Sequence, residues 1–200
     1  MVNRYLRGLT NTTMCAETIE KPLSKPTSED YVNARLLESL VEASLAVKFL
    51  EDGLVRNAAG KVFQAWRALL AALLKLELDK LLKLVRSDEE RQWLINRAVP
   101  RVPTSRMKAL SQMLEEIGHR NMSAWTSIAL DLHDYQHNGP DPDMAVSKYR
   151  NREEAAIDIK LLINELVRRV EELKPKVRWG DELENALKTL REGLGRVGGL

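Results

Sequence analysis

Between Ala46 and Glu77 the chain reads AVKFLEDGLVRNAAGKVFQAWRALLAALLKLE, and this helical hairpin constrains the fold more than any other segment. Its second helix opens on small residues, with Gly60 beside Ala58 and Ala59, so that another backbone can approach closely. It continues through Trp66, Leu69, Leu70, Leu73, Leu74, Leu76, Leu78, Leu81 and Leu82. Apolar residues on nearly every side give a helix more surface than one neighbour can cover. Such a helix is either the centre of a bundle or part of a subunit interface.

The remaining elements read as helices too. Ser28, with Glu29 and Asp30 after it, has the form of a helix start following the linker residues Pro22, Ser24, Pro26 and Thr27. Val32, Leu36, Leu40, Ala43, Val47 and Leu50 then recur at three- and four-residue intervals up to a break at Gly53. The second helix is expected from about Leu54 to about Val85, with a bend near Gly60 or Leu78. Ser87 is read as the N-cap of a short helix, DEERQWLINRAV, ended by Pro100 and Pro103. Thr104 is read as the cap of a fourth helix that Gly118 terminates, and a fifth follows from Arg120 or Asn121, almost end to end with it. After a loop, HNGPDPDMAVSKY, a sixth helix runs from about Asn151 to Leu173, and DELENALKTLREGL forms a weaker last one before a glycine tail. Period-two alternation and internal repeats are lacking, so the chain is all-α.

Composition narrows the setting. A length of 200 residues suits one domain. The single cysteine, Cys15, rules out an intrachain disulfide framework and points to a reducing, cytoplasmic compartment. A net charge of +2 gives little long-range pull on nucleic acid or an anionic membrane. The apolar run Ala68 to Leu74 lies between Arg67 and Lys75 and is far too short to cross a membrane. Residues 1–27 are expected to be poorly ordered. Translation begins either at Met1 or at Met14, which stands before CAETIEKPLSKP as the more natural start.

Three groups of residues could carry chemistry. His133 and His137 stand four apart, which puts both imidazoles on one helix face, as in HExxH zinc sites. Asp134 would then stand where a general base stands, with Asp141 or Asp143 as a third ligand. Zinc needs three or four ligands and only two are spaced correctly, so favourable placement at a helix C-terminus is the stronger explanation. His119, Arg120 and Asn121 sit at a helix start where an anion could bind. Capping by Asn121, and pairing of Arg120 with Glu115 or Glu116, explain them more simply. Arg168, Arg169, Lys174, Lys176 and Arg178, beside Trp179, form a basic stretch that Glu171 and Glu172 interrupt, which favours a solvated face over a nucleic-acid footprint. Trp66, Trp93 and Trp125 are read as core. Cys15 has no histidine at a fixed spacing that would make it a catalytic thiol.

The string FLEDGLVRNAAGKVFQAWRALLAALL resembles the first two helices of the HEPN superfamily, and especially its archaeal PaREP-like family. LHDYQHNG, from Leu132 to Gly139, is similar to a Leu-His-acid element that precedes the last long helix in those proteins. The resemblance covers roughly residues 28–173. It implies an up-and-down bundle of four to five long helices plus short ones over residues 28–174; the helix read in DELENALKTLREGL makes residues 175–200 a C-terminal helical extension and tail. The resemblance also implies a cytoplasmic homodimer that needs no cofactor. Catalytic HEPN proteins are metal-independent RNases using an Arg followed four to six residues later by His, with a polar residue next to the Arg. Arg120 and Asn121 match the first two positions, but Trp125 stands where the first possible histidine would be, and none follows at the longer spacings. The expectation is a non-catalytic HEPN-like protein acting through self-association or by binding another protein, such as a nucleotidyltransferase. The alternative is a divergent RNase using His119, Arg120, Asn121, His133 or His137, or a nucleic-acid binder.

Overall fold

The computed structural model describes residues 30–198 continuously, together with Pro22 and residues 25–27. Met14, Cys15, Ser28 and Glu29, and almost all of the segment 1–27, lie outside the described residues. Among the described residues every regular element is helical: α1 (Tyr31–Glu51), α2 (Val55–Leu76), α3 (Leu78–Leu84), α4 (Asp88–Trp93), α5 (Met107–Glu116), α6 (Met122–Asn138), α7 (Arg152–Leu173) and α8 (Asp181–Arg196).

The hairpin turns where the sequence places it. Gly53 has φ +72, a left-handed conformation open to a residue without Cβ. Gly53 N–H and Leu54 N–H donate back to the carbonyls of Leu50 and Phe49 at 3.0 and 2.8 Å, closing the end of α1. α2 is the hub of the molecule and packs against α1, α6, α7 and α5. Its Leu-rich half is covered within the monomer, with Leu69, Leu70, Leu73 and Leu74 all buried. The surface that raised the choice between central helix and subunit interface is therefore that of a central helix.

Several sequence expectations need correction. The second helix is not continuous to Val85, and of the two places expected for a bend it is the one near Leu78 where the helix is interrupted. It breaks at Glu77, whose carbonyl accepts from Lys80 N–H and Leu81 N–H at 3.0 Å each and so begins α3. Gly60 serves close approach, and what sits on it is a side chain, Gln136 of α6, not a backbone. Ser87 does cap α4, its Oγ accepting from Glu90 N–H at 3.2 Å. Pro100, however, does not stop the helix that follows. Residues Leu94–Ala98 form a π-helical turn that runs into a last helical turn, Val99–Arg101, containing the proline. The helix stops at Val102, just before Pro103, and Val102 adopts φ +41 while buried. Thr104 makes no capping bond and instead opens a short 3₁₀ turn, Thr104–Arg106, ahead of α5.

α5 and α6 are not end to end. They lie side by side, as the buried contact of 2.6 Å between Ser111 Oγ and Thr126 Oγ1 requires. The reversal is made by left-handed Asn121, at φ +61, just before α6. α7 starts as the sequence indicates, with Asn151 Oδ1 accepting from Glu154 N–H at 2.9 Å. Its inner face, Ala155, Ile159, Leu162, Ile163, Leu166 and Val170, is buried. The amphipathic α8 lays Leu183, Leu187, Leu190 and Leu194 into the same core and rests on α1. Trp66 is fully buried, whereas Trp93 and Trp125 are half-buried at the core's edge. No helix of the described residues is long and apolar enough to cross a membrane.

Candidate functional site

The sequence places His133 and His137 on one face of a helix, and on α6 their rings meet edge to face with centroids 4.8 Å apart. His133 also stacks on Phe63 of α2, centroids 4.1 Å apart and planes inclined by 21°. Around this pair stand residues that spacing alone does not reveal. Gln136 lies on Gly60, and both Gln136 Oε1 and His133 Nδ1 are buried without a hydrogen-bond partner. Arg67 lies over the other aromatic member, its guanidinium carbon 6.0 Å from the Phe63 centroid. Arg56 donates to the carbonyls of Gln136 and His137, at 3.0 and 2.6 Å from Nη2, and so closes the C-terminus of α6.

The surroundings of His133 favour its neutral form. Burial lowers its pKa from the ordinary 6.5 and the His137 ring adds to this, against the opposing pull of Asp134 and the Gln136 amide. Arg67 is itself pushed below its usual value, chiefly by burial. The third ligand expected from Asp141 or Asp143 does not reach the histidines. Asp141 Oδ2 accepts from Val146 N–H at 2.7 Å and Ser147 N–H at 3.1 Å, so this carboxylate shapes its own loop. Among the described residues no three His, Cys, Asp or Glu side chains are grouped to hold a metal ion.

His119, Arg120 and Asn121 occupy the opposite end of α6. Asn121 to His133 spans twelve residues, roughly 18 Å along a helix axis, so the five candidates form two groups rather than one cleft. His119 Nε2 lies 3.1 Å from Glu77 Oε1, while Lys80 holds the other oxygen at 2.6 Å. Burial works against ionisation of Glu77, yet Lys80 and His119 together hold its carboxyl below the usual range. The capping expectation for Asn121 fails in detail, since its side chain makes no cap bond. Glu115 takes that role: Oε1 accepts from Ser123 N–H at 3.0 Å and Oε2 from Ser123 Oγ at 2.8 Å. Glu115 is thus occupied by Ser123, and exposed Arg120 makes no ion pair with it or with Glu116. The carbonyl of Arg120 is engaged instead, accepting from Arg169 Nη2 at 2.7 Å.

The basic stretch near α7 is neutralised in part, Lys176 and Arg178 making no ion pair among the described residues. Arg168 pairs with Glu165 and Glu172, Arg169 with Glu165, and Lys174 with Glu184. Trp179 also donates to Glu184, at 2.6 Å.

The model of the archaeal PaREP1/PaREP8 family matches residues 34–160, more than half of the chain. The chain belongs to that family. No curated protein and no solved structure matches it. The span shared with the PaREP1/PaREP8 family runs from within α1 to within α7. It holds both histidine groups, Phe63, Gly60, Gln136 and Glu77. Arg169, which anchors the Arg120 carbonyl, and all of α8 lie beyond it.

Proposed function

We propose that this PaREP1/PaREP8 protein is a non-catalytic, HEPN-like helical protein of the cytoplasm that acts by self-association, as a homodimer, or by binding another protein, a nucleotidyltransferase being one such partner. The observation that carries the reading is the separation of the candidate groups. Arg120 and Asn121 have no histidine beside them except His119, which is engaged with Glu77. His133 and His137 lie about 18 and about 24 Å along the helix axis from Asn121, with His133 stacked on Phe63 and His137 against His133. General acid–base cleavage of RNA needs such groups within hydrogen-bond reach of one phosphodiester.

Exposed apolar side chains support an interaction role. Leu54 before α2, Met144 and Val146 in the loop after α6, and Ile157 on α7 are 48, 48, 62 and 49 % exposed. Light scattering on the purified chain tests the reading: a dimer, or a monomer that becomes a defined complex with a nucleotidyltransferase, sustains it. RNA cleavage that Arg120→Ala abolishes would replace it with the enzyme reading.

A further inference from the structure

The net charge of +2 conceals an uneven distribution. From Arg91 to Leu114 the chain contains Arg91, Arg97, Arg101, Arg106 and Lys108 and not one Asp or Glu. Some cations elsewhere are paired, as around Glu165, Glu77 and Glu42, while others such as Arg120, Lys176 and Arg178 are not. Among the described residues these five make no ion pair: Arg91 donates to the Val85 carbonyl, and Arg106 lies over the Trp93 ring, 5.2 Å from its centroid. Arg97, Arg101, Arg106 and Lys108 are exposed, and Trp93 is half-buried.

The backbone holds these groups together. Trp93, Arg97 and Arg101 follow one another at four-residue steps through the π-helical turn, and left-handed Val102 turns the chain so that Arg106 returns to Trp93. Trp93 to Arg101 covers roughly 12 Å of helix axis, room for a few successive phosphates of one strand. Guanidinium groups free of carboxylate partners bind phosphate through two parallel N–H donors. Trp93 and Arg106 line an open depression of about 450 Å³, and the part of the half-buried Trp93 ring left open is a surface on which an unpaired base can stack. Glu89 and Glu90 also line it, and their charge directs phosphates away from the depression, toward Arg97 and Arg101.

We propose that the corner formed by Trp93, Arg97, Arg101 and Arg106 binds the sugar–phosphate backbone of single-stranded nucleic acid. Fluorescence anisotropy of the full chain with a labelled RNA or DNA strand of about 20 nucleotides tests it. Three phosphate contacts give an affinity that falls roughly twentyfold between about 50 and about 200 mM salt. The Arg97→Gln/Arg101→Gln/Arg106→Gln variant is expected to lose at least about tenfold at the lower salt and most of the salt dependence. The matching Lys variant keeps the salt slope, and Arg168→Gln/Lys176→Gln binds as wild type. Circular dichroism confirms that each variant is folded. No binding at low salt, unchanged binding by the Gln variant, or loss of binding in Arg168→Gln/Lys176→Gln would overturn the proposal. So would displacement of the strand by poly-L-glutamate at equal charge concentration, which would mark an acidic protein as the partner.

Discussion

Trp66 Nε1 donates to Thr126 Oγ1 at 2.9 Å, in the centre of the molecule where both residues are fully buried. Ser111 Oγ donates to the Met107 carbonyl at 2.9 Å, so the 2.6 Å contact between Ser111 and Thr126 has Thr126 as its donor. One chain of donors thus joins α2, α6 and α5 with no hydroxyl left over. Thr126→Val keeps the shape but strands the indole N–H, and a buried unpaired donor costs about 2 kcal/mol. Thr126→Ser retains the hydroxyl and is expected to cost under about 1.5 kcal/mol. Urea unfolding of both, with unchanged m, checks the difference. Equal losses would mean that the methyl group, not the hydroxyl, matters.

Gly60 offers a second test at the same helix contact. A Cβ there would fall 2.6 Å from Gln136 Cδ. Alanine favours a helix by about 1 kcal/mol over glycine, and the Gln136 carboxamide can swing away because its oxygen is already without a partner. Gly60→Ala is therefore expected to leave stability within about 1 kcal/mol of wild type. Gly60→Leu forces α2 and α6 apart and is expected to cost about 3 kcal/mol. Thermal melts of the two variants distinguish a seat for a side chain from a bend in the helix.

What the sequence could reveal differed from element to element. The hairpin, the loop after α6 and the start of α7 were legible because Gly53, the Gly-Pro pair and Asn151 act through local chemistry. The π-helical turn at Leu94–Ala98 was not, since an i→i+5 register leaves no mark in residue type, and Pro100 then reads as a terminator. The face shared by His133 and His137 followed from their spacing. Phe63, Gln136 and Glu77 entered the picture only through tertiary packing, across dozens of residues of chain. The unpaired arginines were present in the sequence but stand four to six apart, so the denser run at Arg168 outweighed them although Glu165, Glu172 and Glu184 cancel part of its charge.

His133 gives stability a dependence on pH. Its folded pKa lies below the ordinary 6.5 because of burial first, then His137, with Arg67 of α2 adding to the effect and Asp134 and Gln136 of α6 opposing it. The unfolded chain then binds more protons below about pH 6.5, and stability falls as the pH drops through that value. It is fully present above it. Thermal melts from neutral to mildly acidic pH should show the decline, and His133→Leu, which retains an apolar contact with Phe63, should flatten it. An NMR titration placing the His133 ring at or above 6.5 would remove the basis for this expectation.

Arg169 links the end of the bundle to its core. Its side chain is 5 % exposed, its Nε lies 2.7 Å from Glu165 Oε1, and its guanidinium carbon is 5.9 Å from the Trp66 centroid. The same group donates to the Arg120 carbonyl, which fixes the turn between α5 and α6. Burial opposes ionisation of Glu165, but Arg168 and Arg169 outweigh it and hold that carboxyl below its ordinary value. Arg169→Met removes one partner of a buried pair and leaves the carbonyl unanswered, while Arg168 still neutralises part of the charge. The expected loss is about 3 kcal/mol by denaturant unfolding, at the lower end for a broken buried pair. Arg169→Lys keeps the charge without the planar fork and is expected to cost about half as much. Both variants should speed amide exchange in residues 118–123, because the carbonyl that Arg169 holds is the fixed point of that turn. Exchange unchanged there, despite lost stability, would assign the role of Arg169 to its stacking on Trp66 alone.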